Sequence, residues 1–572
     1  MLSRAHRDRS NLAEAVGLLA ALALSCAGAG PEHGQQVQPP NGCVGDAVVS
    51  PRRVVRLSEH QLWNSYAALF GAQTAAIITK GEALPSDTER EFPPVGADVT
   101  ISETLLGKID RLAQAAMTYV SANADSVTPC GSQPSDKTCV QTYLLSLAER
   151  AYRHPLTLAE QTAITGEFWA EMAAAGADLT EALAYGVYGV LSSASFVYRT
   201  EFGADGGSGE TVLAPYELAT ALSFFLADRP PDDQLLAAAA ANAVGTPDQI
   251  RSQATRLLAR PDVRANLESA VVRYFGLSRA PAVVLNPEAT PGFTVTTGFE
   301  LSIFHEGELF LKNTLWAGPL GDLLTSRRTW TSAPVATGVY GVAPPAEVDS
   351  DGFGAVDLAD DRAGLFTLST FLLAGARSTG GSPVARGLAV NASVVCDVNP
   401  PFPATDPEVA AAISGLASSS ELEKARYRAA NAKCAACHGK FDAFGMVLEP
   451  YDAVGRLRQV DSAGRPIDAA WTTTVLPASV GSTVVASAVE TARALVTSGA
   501  LDRCMTMNFL NYALAEITRG GANNTELARA PQTRSCAVQR VVEALQGTEA
   551  TFPSLMREIA ASSTFTRRSR GF

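Results

Sequence analysis

The segment Cys434-Ala435-Ala436-Cys437-His438 constrains this chain most, because Cys-x-x-Cys-His is the attachment signature of a c-type haem. Two thiols separated by two residues lie within one helical turn, from which they can bond to both vinyl groups of one porphyrin. The histidine that follows is then placed to give the iron an imidazole ligand. We therefore expect one covalent haem c, attached through Cys434 and Cys437, with His438 as its metal ligand.

Two other interpretations of the same five residues compete with haem. Half of a zinc site would use the two cysteines, but the sequence has no second Cys-x-x-Cys or His-x-x-x-His to complete a tetrahedral shell. A redox or structural disulfide is the other alternative, and it does not need the histidine. The motif favours haem over both.

The N-terminus is typical of an export signal, which haem attachment outside the cytoplasm requires. Three arginines precede an apolar run over 16–25 that is too short to span a bilayer. The run ends at Cys26, in an approximate lipoprotein cleavage site, so residues 1–26 predict a signal peptide and lipidation at Cys26. Residues 27–52, rich in Gly and Pro, predict a flexible tether. We expect an exported protein, periplasmic or at the cell surface, held at a membrane by its lipid anchor only.

The remaining cysteines fit an oxidising compartment. Of nine cysteines in the chain, six are left after lipidation and haem attachment, an even number that allows disulfides. The expected pairs are Cys130 with Cys139 across a Gly, Ser and Pro rich loop, Cys504 with Cys536 across a helical hairpin, and Cys43 with Cys396 by elimination. Sequence alone does not fix this connectivity.

Length and charge narrow the class of protein. A chain of 572 residues is too long for one core and predicts several domains. Its formal net charge of -13, with no clustered run of Lys and Arg, argues against nucleic acid as a partner. An acidic exported protein is instead suited to a basic extracytoplasmic redox partner.

Helical patterns dominate the chain, and alternating strand patterns are scarce. Ser58 with Gln61, and Thr157 with Glu160, predict capping boxes at the starts of two helices. Apolar periodicity predicts further helices over 179–199, 215–227, 247–277, 300–315, 363–376 and 384–395. The predicted fold class is mostly α: several helical modules, with a small cytochrome c-like CxxCH segment near the C-terminal third.

Short stretches along the chain carry a family resemblance. The strongest runs from the CxxCH motif to Arg456; the others are 56–71, 148–157, 192–199, 216–226, 382–387, 504–514 and 563–567. On these stretches the chain resembles exported multidomain proteins built, in order, from the domains of unknown function 1587, 1595, 1592, 1588 and 1585. The resemblance implies an N-terminal helical module at 53–130, a second at 138–200, a large 1592-like module at 212–342, a 1588-like haem-attachment module at 361–468 and a 1585-like helical module at 480–568.

The resemblance implies export, helical architecture and haem, but no assigned reaction. Some members of the family also carry a separate cytochrome-like domain or carbohydrate-associated modules, and neither is recognisable in this chain. No Gly-x-Ser-x-Gly or His-Glu-x-x-His motif identifies a hydrolase. Whether the protein is an enzyme is therefore left open by its sequence.

Polar residues after the motif allow two interpretations. Asp442, Glu449, Asp452 and Arg456 could surround the haem edge, with Arg456 on its propionates, or bind a substrate. Equally, they could cap helices and lock a loop by ion pairing, and the sequence favours this structural role.

The sixth iron ligand decides between electron transfer and chemistry at the iron. Met446 is the nearest methionine to His438 and could fold back from a loop turned at Gly445. The other candidates are His60, His154, His305, Met505 and Met507, of which Met507 fits core packing better. We expect a c-type haem protein that acts as an electron-transfer component. The alternatives are a haem oxidase or peroxidase on a small or glycan-derived substrate, and a nonenzymatic cell-surface binding scaffold.

Overall fold

The computed structural model describes most of the chain. It covers residues 50–80, 101, 103–205, 209–293, 295, 298–397, 407–416, 419–461, 464–467, 472–515, 532–546 and 550–570. The predicted signal peptide and lipidation site at Cys26, and Cys43, lie outside these residues. None of the helices within the described ranges has the length and apolar character needed to cross a membrane.

Helices build almost all of the described structure, which confirms the mostly α prediction. Those of the N-terminal part are Glu59–Phe70, Ala72–Thr79, Glu103–Ala122, Ala124–Val127, Lys137–Tyr152, Leu158–Thr162, Ala163–Glu167, Phe168–Ala175, Leu179–Ser192 and Ala194–Val197. Both predicted capping boxes are present, at Ser58 with Gln61 and at Thr157 with Glu160. These helices bury their apolar faces in one core that extends from Leu57 to Phe224.

The rest of the chain folds around a second, larger core. Its helices before the CxxCH motif are Pro215–Ala227, Asp233–Ala240, Pro247–Leu258, Pro261–Tyr274, Leu277–Ala282, Pro287–Ala289, Phe299–Leu315, Asp322–Thr325, Ala333–Val335, Ala336–Tyr340, Leu365–Thr367, Ser369–Ala374, Pro383–Val390 and Asn391–Val395. Those that follow are Pro407–Gly415, Glu421–Ala430, Ala432–His438, Asp442–Met446, Ala478–Val480, Ala488–Thr497, Ala500–Ala513, Gln532–Gln546, Phe552–Ala561 and Ser563–Thr566. One continuous apolar core runs from Leu213 to Phe565. The modules that the sequence distinguishes after residue 212 therefore share their hydrophobic interior.

Strands in the described ranges are short and antiparallel. Their pairs are Arg53–Arg56 with Tyr198–Glu201, Ala204–Asp205 and Arg567–Ser569 on either side of Glu210–Val212, Arg328–Ser332 with Phe353–Asp357, Ala376–Arg377 with Gly380–Gly381, and Thr474–Val475 with Val484–Val485. Two of these pairings, Arg53–Arg56 with Tyr198–Glu201 and Arg567–Ser569 with Glu210–Val212, connect segments that are distant in sequence. The described strands form no extended sheet.

A buried carboxylate joins the beginning of the described chain to its end. Glu201 contacts three guanidiniums: Arg53 and Arg568, each with its Nε at 2.8 Å, and Arg199 at 3.3 Å. Burial alone would raise the pKa of the Glu201 carboxyl, but Arg568, Arg53 and Arg199 together hold it well below its ordinary value. The cluster therefore keeps its charge and ties the strand at Arg53–Arg56 to the C-terminal strand.

Two of these arginines end a local motif that occurs twice. Ser193 accepts a hydrogen bond from the Phe196 backbone N–H, and Ser562 does the same for Phe565. In both places a four-residue helix follows the serine and leads into a short strand that carries a buried arginine. The sequence shows no convincing internal repeat, because the pattern that these two places share is only a few residues long.

The disulfides confirm one predicted pair and correct the others. Cys130 is bonded to Cys139, as predicted. The pairing of Cys504 with Cys536 is wrong, because Cys504 is bonded to Cys396. The expected pairing of Cys43 with Cys396 is wrong for the same reason. Cys536 is also disulfide-bonded.

The geometry of a helical hairpin explains why the predicted pairing of Cys504 with Cys536 is wrong. Cys504 and Cys536 each lie near the start of their own helix, Ala500–Ala513 and Gln532–Gln546. In a hairpin, where successive helices run in opposite directions, the two starts lie at opposite ends. Cys504 instead faces the end of helix Asn391–Val395, where Cys396 follows as the cap residue.

A second buried carboxyl, Glu306, lies at the centre of the larger core. It is fully buried on helix Phe299–Leu315 and accepts hydrogen bonds from the Tyr340 hydroxyl at 2.7 and 2.8 Å and from Thr329 Oγ1 at 3.2 Å. Burial raises the pKa of Glu306 to about 8, although these hydrogen bonds and Arg362 oppose the shift. The folded protein therefore holds a proton on Glu306 at neutral pH.

The raised pKa of Glu306 predicts that the free energy of unfolding falls as the solution becomes alkaline. Between an ordinary pKa of 4.5 and the folded pKa of about 8, the folded chain retains the proton that the unfolded chain releases. The resulting stabilisation is present at low pH and is lost as the pH rises through 8. From about pH 6 to about pH 9 we expect a loss of about 2 to 3 kcal/mol, which Glu306→Gln should remove. Unfolding midpoints at both pH values check this, with Glu308→Gln, a glutamate on the same helix whose side chain is 45 % exposed, as the control. An equal pH dependence in wild type and Glu306→Gln would contradict it.

Candidate haem-attachment site

The five motif residues lie on one short helix. Helix Ala432–His438, here called the CxxCH helix, begins after Asn431, whose side chain accepts a hydrogen bond from the Lys433 backbone N–H at 3.0 Å. Cys434 is buried beside Val409 and Tyr427, whereas Cys437 belongs to the larger core. Helical backbone throughout places the two thiols one turn apart, as attachment to one porphyrin requires.

The state of the thiols bears on the disulfide interpretation of the motif. Cys434 and Cys437 are in no disulfide, although the other cysteines within the described ranges are all disulfide-bonded. This argues against a Cys434–Cys437 bridge. Among the described residues, no three His, Cys, Asp or Glu side chains form a group that could hold a metal ion. Attachment of haem c would use both thiols and the imidazole of this one helix.

The His438 ring contacts the carboxylate of Asp442, for which the sequence allowed either a place at the haem edge or a structural role. Its Nδ1 lies 2.9 Å from Asp442 Oδ1, and Asp442 Oδ2 accepts a hydrogen bond from Arg428 Nε at 2.6 Å. With a carboxylate as acceptor, Nδ1 carries the proton, and Nε2 is the ring nitrogen that would bind iron. The residues present therefore fit haem c: two thiols for the porphyrin and one oriented imidazole for the metal.

The segment after the motif is packed backbone against backbone. A Cβ on Gly387 would lie 2.3 Å from the Phe441 carbonyl oxygen, and one on Gly445 would lie 1.9 Å from the Pro383 carbonyl oxygen. Only glycine fits at either position, so helices Pro383–Val390 and Asp442–Met446 are held in close contact. The predicted loop turned at Gly445 is wrong, because Gly445 lies inside helix Asp442–Met446 and Met446 is buried at its end.

A fully buried arginine secures the chain that follows. Arg386 Nη1 donates to the carbonyl oxygens of Leu448 at 3.0 Å and Tyr451 at 2.7 Å, and Nη2 donates to those of Leu372 and Asp452. Burial lowers the pKa of Arg386 to about 10, so the guanidinium stays charged at neutral pH. One charged side chain thereby fixes three carbonyls of the segment 448–452.

The acidic and basic residues beyond the motif lock this segment, as the structural interpretation predicts. Asp452 accepts hydrogen bonds from the backbone N–H groups of Val454 and Arg456 at 3.0 and 2.9 Å, and from Arg456 Nε at 2.8 Å. Glu449 pairs with Arg458, and burial raises the pKa of the Glu449 carboxyl to about 7. Arg456 is thus bonded to the loop that contains Asp452 and, through Nη2 at 3.0 Å, to the Pro291 carbonyl oxygen.

The other candidate iron ligands have partners or surroundings of their own. His60 Nδ1 contacts Asp228 at 2.5 Å, His154 Nδ1 the Pro155 carbonyl at 2.9 Å, and His305 Nδ1 Glu308 at 3.2 Å. Met505 is buried in the larger core, while Met507 on the same helix is half-buried rather than a core residue. The identity of the sixth ligand stays a prediction.

Sequence reasoning missed two residues of this site. Arg428 orients Asp442 from helix Glu421–Ala430, and Arg386 anchors the following segment. No sequence pattern around Arg428 predicts its role, because its pairing with Asp442 is seen only in the tertiary structure. The role of Arg386 is weakly indicated, because it is the only charged residue among the small and apolar residues of helix Pro383–Val390.

Fold and site together define a mostly α-helical multidomain protein with a CxxCH helix in its C-terminal half. Three family models match, each described as a protein of unknown function: DUF1595 over residues 139–201, DUF1592 over 213–342 and DUF1588 over 362–461. The chain therefore contains these three domains in that order, and the CxxCH helix lies in DUF1588. The 1587-like and 1585-like modules stay predictions. No curated protein and no solved structure matches the chain.

Proposed function

We propose that this protein is an extracytoplasmic c-type haem protein that serves as an electron-transfer component. The observation that carries the proposal is the CxxCH helix itself: two thiols in no disulfide, one turn apart, followed by an imidazole oriented by Asp442. In this proposal Cys434 and Cys437 attach the porphyrin and His438 Nε2 binds the iron. Bound haem would supply a centre that gains and loses one electron.

The surrounding residues would hold that centre in a dry, fixed position. Val409 and Tyr427 pack on Cys434, and Phe441 lies with its ring centroid 4.9 Å from that of His438. The glycine contacts at Gly387 and Gly445 keep the histidine's neighbours from shifting. A rigid, apolar surround suits electron transfer because little has to reorganise when the charge on the centre changes.

Compartment and partner follow from other features of the chain. Disulfides at Cys130–Cys139 and Cys396–Cys504 suit an oxidising compartment. The export signal, and lipid at Cys26, would bring the chain there and anchor it to a membrane. The net charge of -13 suits a basic redox protein as electron donor or acceptor.

One observation favours a second candidate, a haem oxidase or peroxidase. A carboxylate on Nδ1 makes an imidazole a stronger electron donor to its metal, which favours oxidised iron. The same hydrogen bond would suit an enzyme that acts on peroxide or oxygen if the sixth position on the iron is open. The nonenzymatic scaffold is the third candidate and requires that the motif carry no haem.

Ligand binding by the matured protein separates these candidates. We expect ferrous protein to be low spin, to bind carbon monoxide slowly and to exchange electrons with a small basic c-type cytochrome. If Met446 is the sixth ligand, Met446→Ala should speed carbon monoxide binding, whereas the half-buried Met507→Ala should not. Fast carbon monoxide binding by wild type, together with turnover of peroxide, would replace the shuttle with the enzyme. A protein without haem would leave only the scaffold.

A further inference from the structure

Three side chains from three separate helices form a hydrogen-bonded line that ends at the imidazole of His438. Arg428 lies on helix Glu421–Ala430, His438 ends the CxxCH helix, and Asp442 begins helix Asp442–Met446. The two contacts measure 2.6 Å from Arg428 Nε to Asp442 Oδ2 and 2.9 Å from Asp442 Oδ1 to His438 Nδ1. The exposed fractions of the side chains are only 11 % for Arg428 and His438 and 14 % for Asp442.

This arrangement is imposed by the fold. The Arg428 guanidinium occupies one carboxylate oxygen and thereby directs the other at the imidazole. Asp442 cannot move away, because its helix is packed against Pro383 through Gly445 and against Gly387 through Phe441. The orientation of the His438 ring is therefore set before any cofactor binds.

We propose that Asp442, oriented by Arg428, is a positioning residue that fixes His438 on the iron and lowers the reduction potential of the haem. The inference rests on the proposed haem attachment. A fixed carboxylate acceptor on Nδ1 strengthens electron donation from Nε2, which stabilises ferric over ferrous iron. Partial burial strengthens this hydrogen bond, because less water competes for it.

The test compares the reduction potentials of matured variants. Asp442→Asn keeps an acceptor oxygen but removes the charge, so we expect the ferrous-to-ferric ratio at a fixed poise to rise about tenfold, which is about 59 mV for one electron. Asp442→Glu should restore part of the wild-type potential, because it restores the carboxylate. If Asp442→Asn protein acquires no haem during maturation, the reduction potentials of Asp442→Glu and Arg428→Lys are compared with that of wild type instead.

The matched control is Asp461→Asn. Asp461 lies in the same domain, and its side chain is 7 % exposed and bonded to Arg465 Nε at 2.7 Å, so the control also removes one buried, arginine-paired charge. An unchanged reduction potential in Asp442→Asn, or the same shift in both variants, would overturn the positioning role. Wild-type protein without haem would instead refute the proposed function, so the two failures are distinguishable.

Discussion

Replacing Cys434 and Cys437 together with alanine is expected to remove all covalently bound haem from the matured protein. Each thiol forms one bond to the porphyrin, and without either of them only the iron–His438 bond would remain. That bond does not survive denaturation. Haem absorbance that co-migrates with the denatured chain should therefore be present in wild type and absent from the double variant.

The control for this experiment is a second pair of cysteines. Cys130→Ser with Cys139→Ser removes the disulfide near the start of helix Lys137–Tyr152, in the N-terminal core. The stability of this double variant should fall, because the bridge constrains the unfolded chain, but its haem should be retained. Haem that stays with denatured Cys434→Ala/Cys437→Ala protein would show that attachment occurs elsewhere.

Removing the charge of Arg386 should cause the largest loss of stability among single substitutions near the site. Arg386→Met removes the guanidinium that donates to the carbonyl oxygens of Leu372, Leu448, Tyr451 and Asp452. Because hydrogen bonds to a buried charge are costly to leave unmade, we expect a loss of about 3 to 5 kcal/mol. Chemical denaturation, followed by a probe in the C-terminal core, checks the value.

An exposed arginine provides the comparison. Arg377→Met makes the same substitution at an exposed position, nine residues earlier on strand Ala376–Arg377, and should change stability little. Arg386→Lys should give an intermediate loss, since one ammonium group cannot reach all four carbonyls. Equal stability of Arg386→Met and Arg377→Met would contradict the anchoring role.

Local signals account for what the sequence predicted correctly. The capping boxes at Ser58 and Thr157, and the pairing of Cys130 with Cys139, depend on residues less than ten positions apart. The helix through Cys434 and His438 follows from the same short-range spacing. Such features form wherever their residues occur in order, so they can be predicted without knowing the tertiary structure.

Tertiary packing decides what the sequence missed. Cys396 and Cys504 are 108 positions apart and meet because two helices pack in the larger core. Gly445 looked like a turn residue, yet it is needed for the close approach to Pro383. Arg428 acquires its role only when Asp442 comes within 2.6 Å of it. Each case depends on a neighbour distant in sequence, which no local pattern reveals.

Mass analysis of the peptide released by trypsin after Lys433 and Lys440 tests directly whether haem is attached through the CxxCH helix. This peptide, residues 434–440, contains both cysteines and His438 and no other cysteine. From wild-type protein matured in a host with the c-type attachment machinery, we predict one peptide carrying one haem bonded to both Cys434 and Cys437. Recovery of the same peptide with two thiols, or with a Cys434–Cys437 disulfide, would contradict haem attachment through these cysteines.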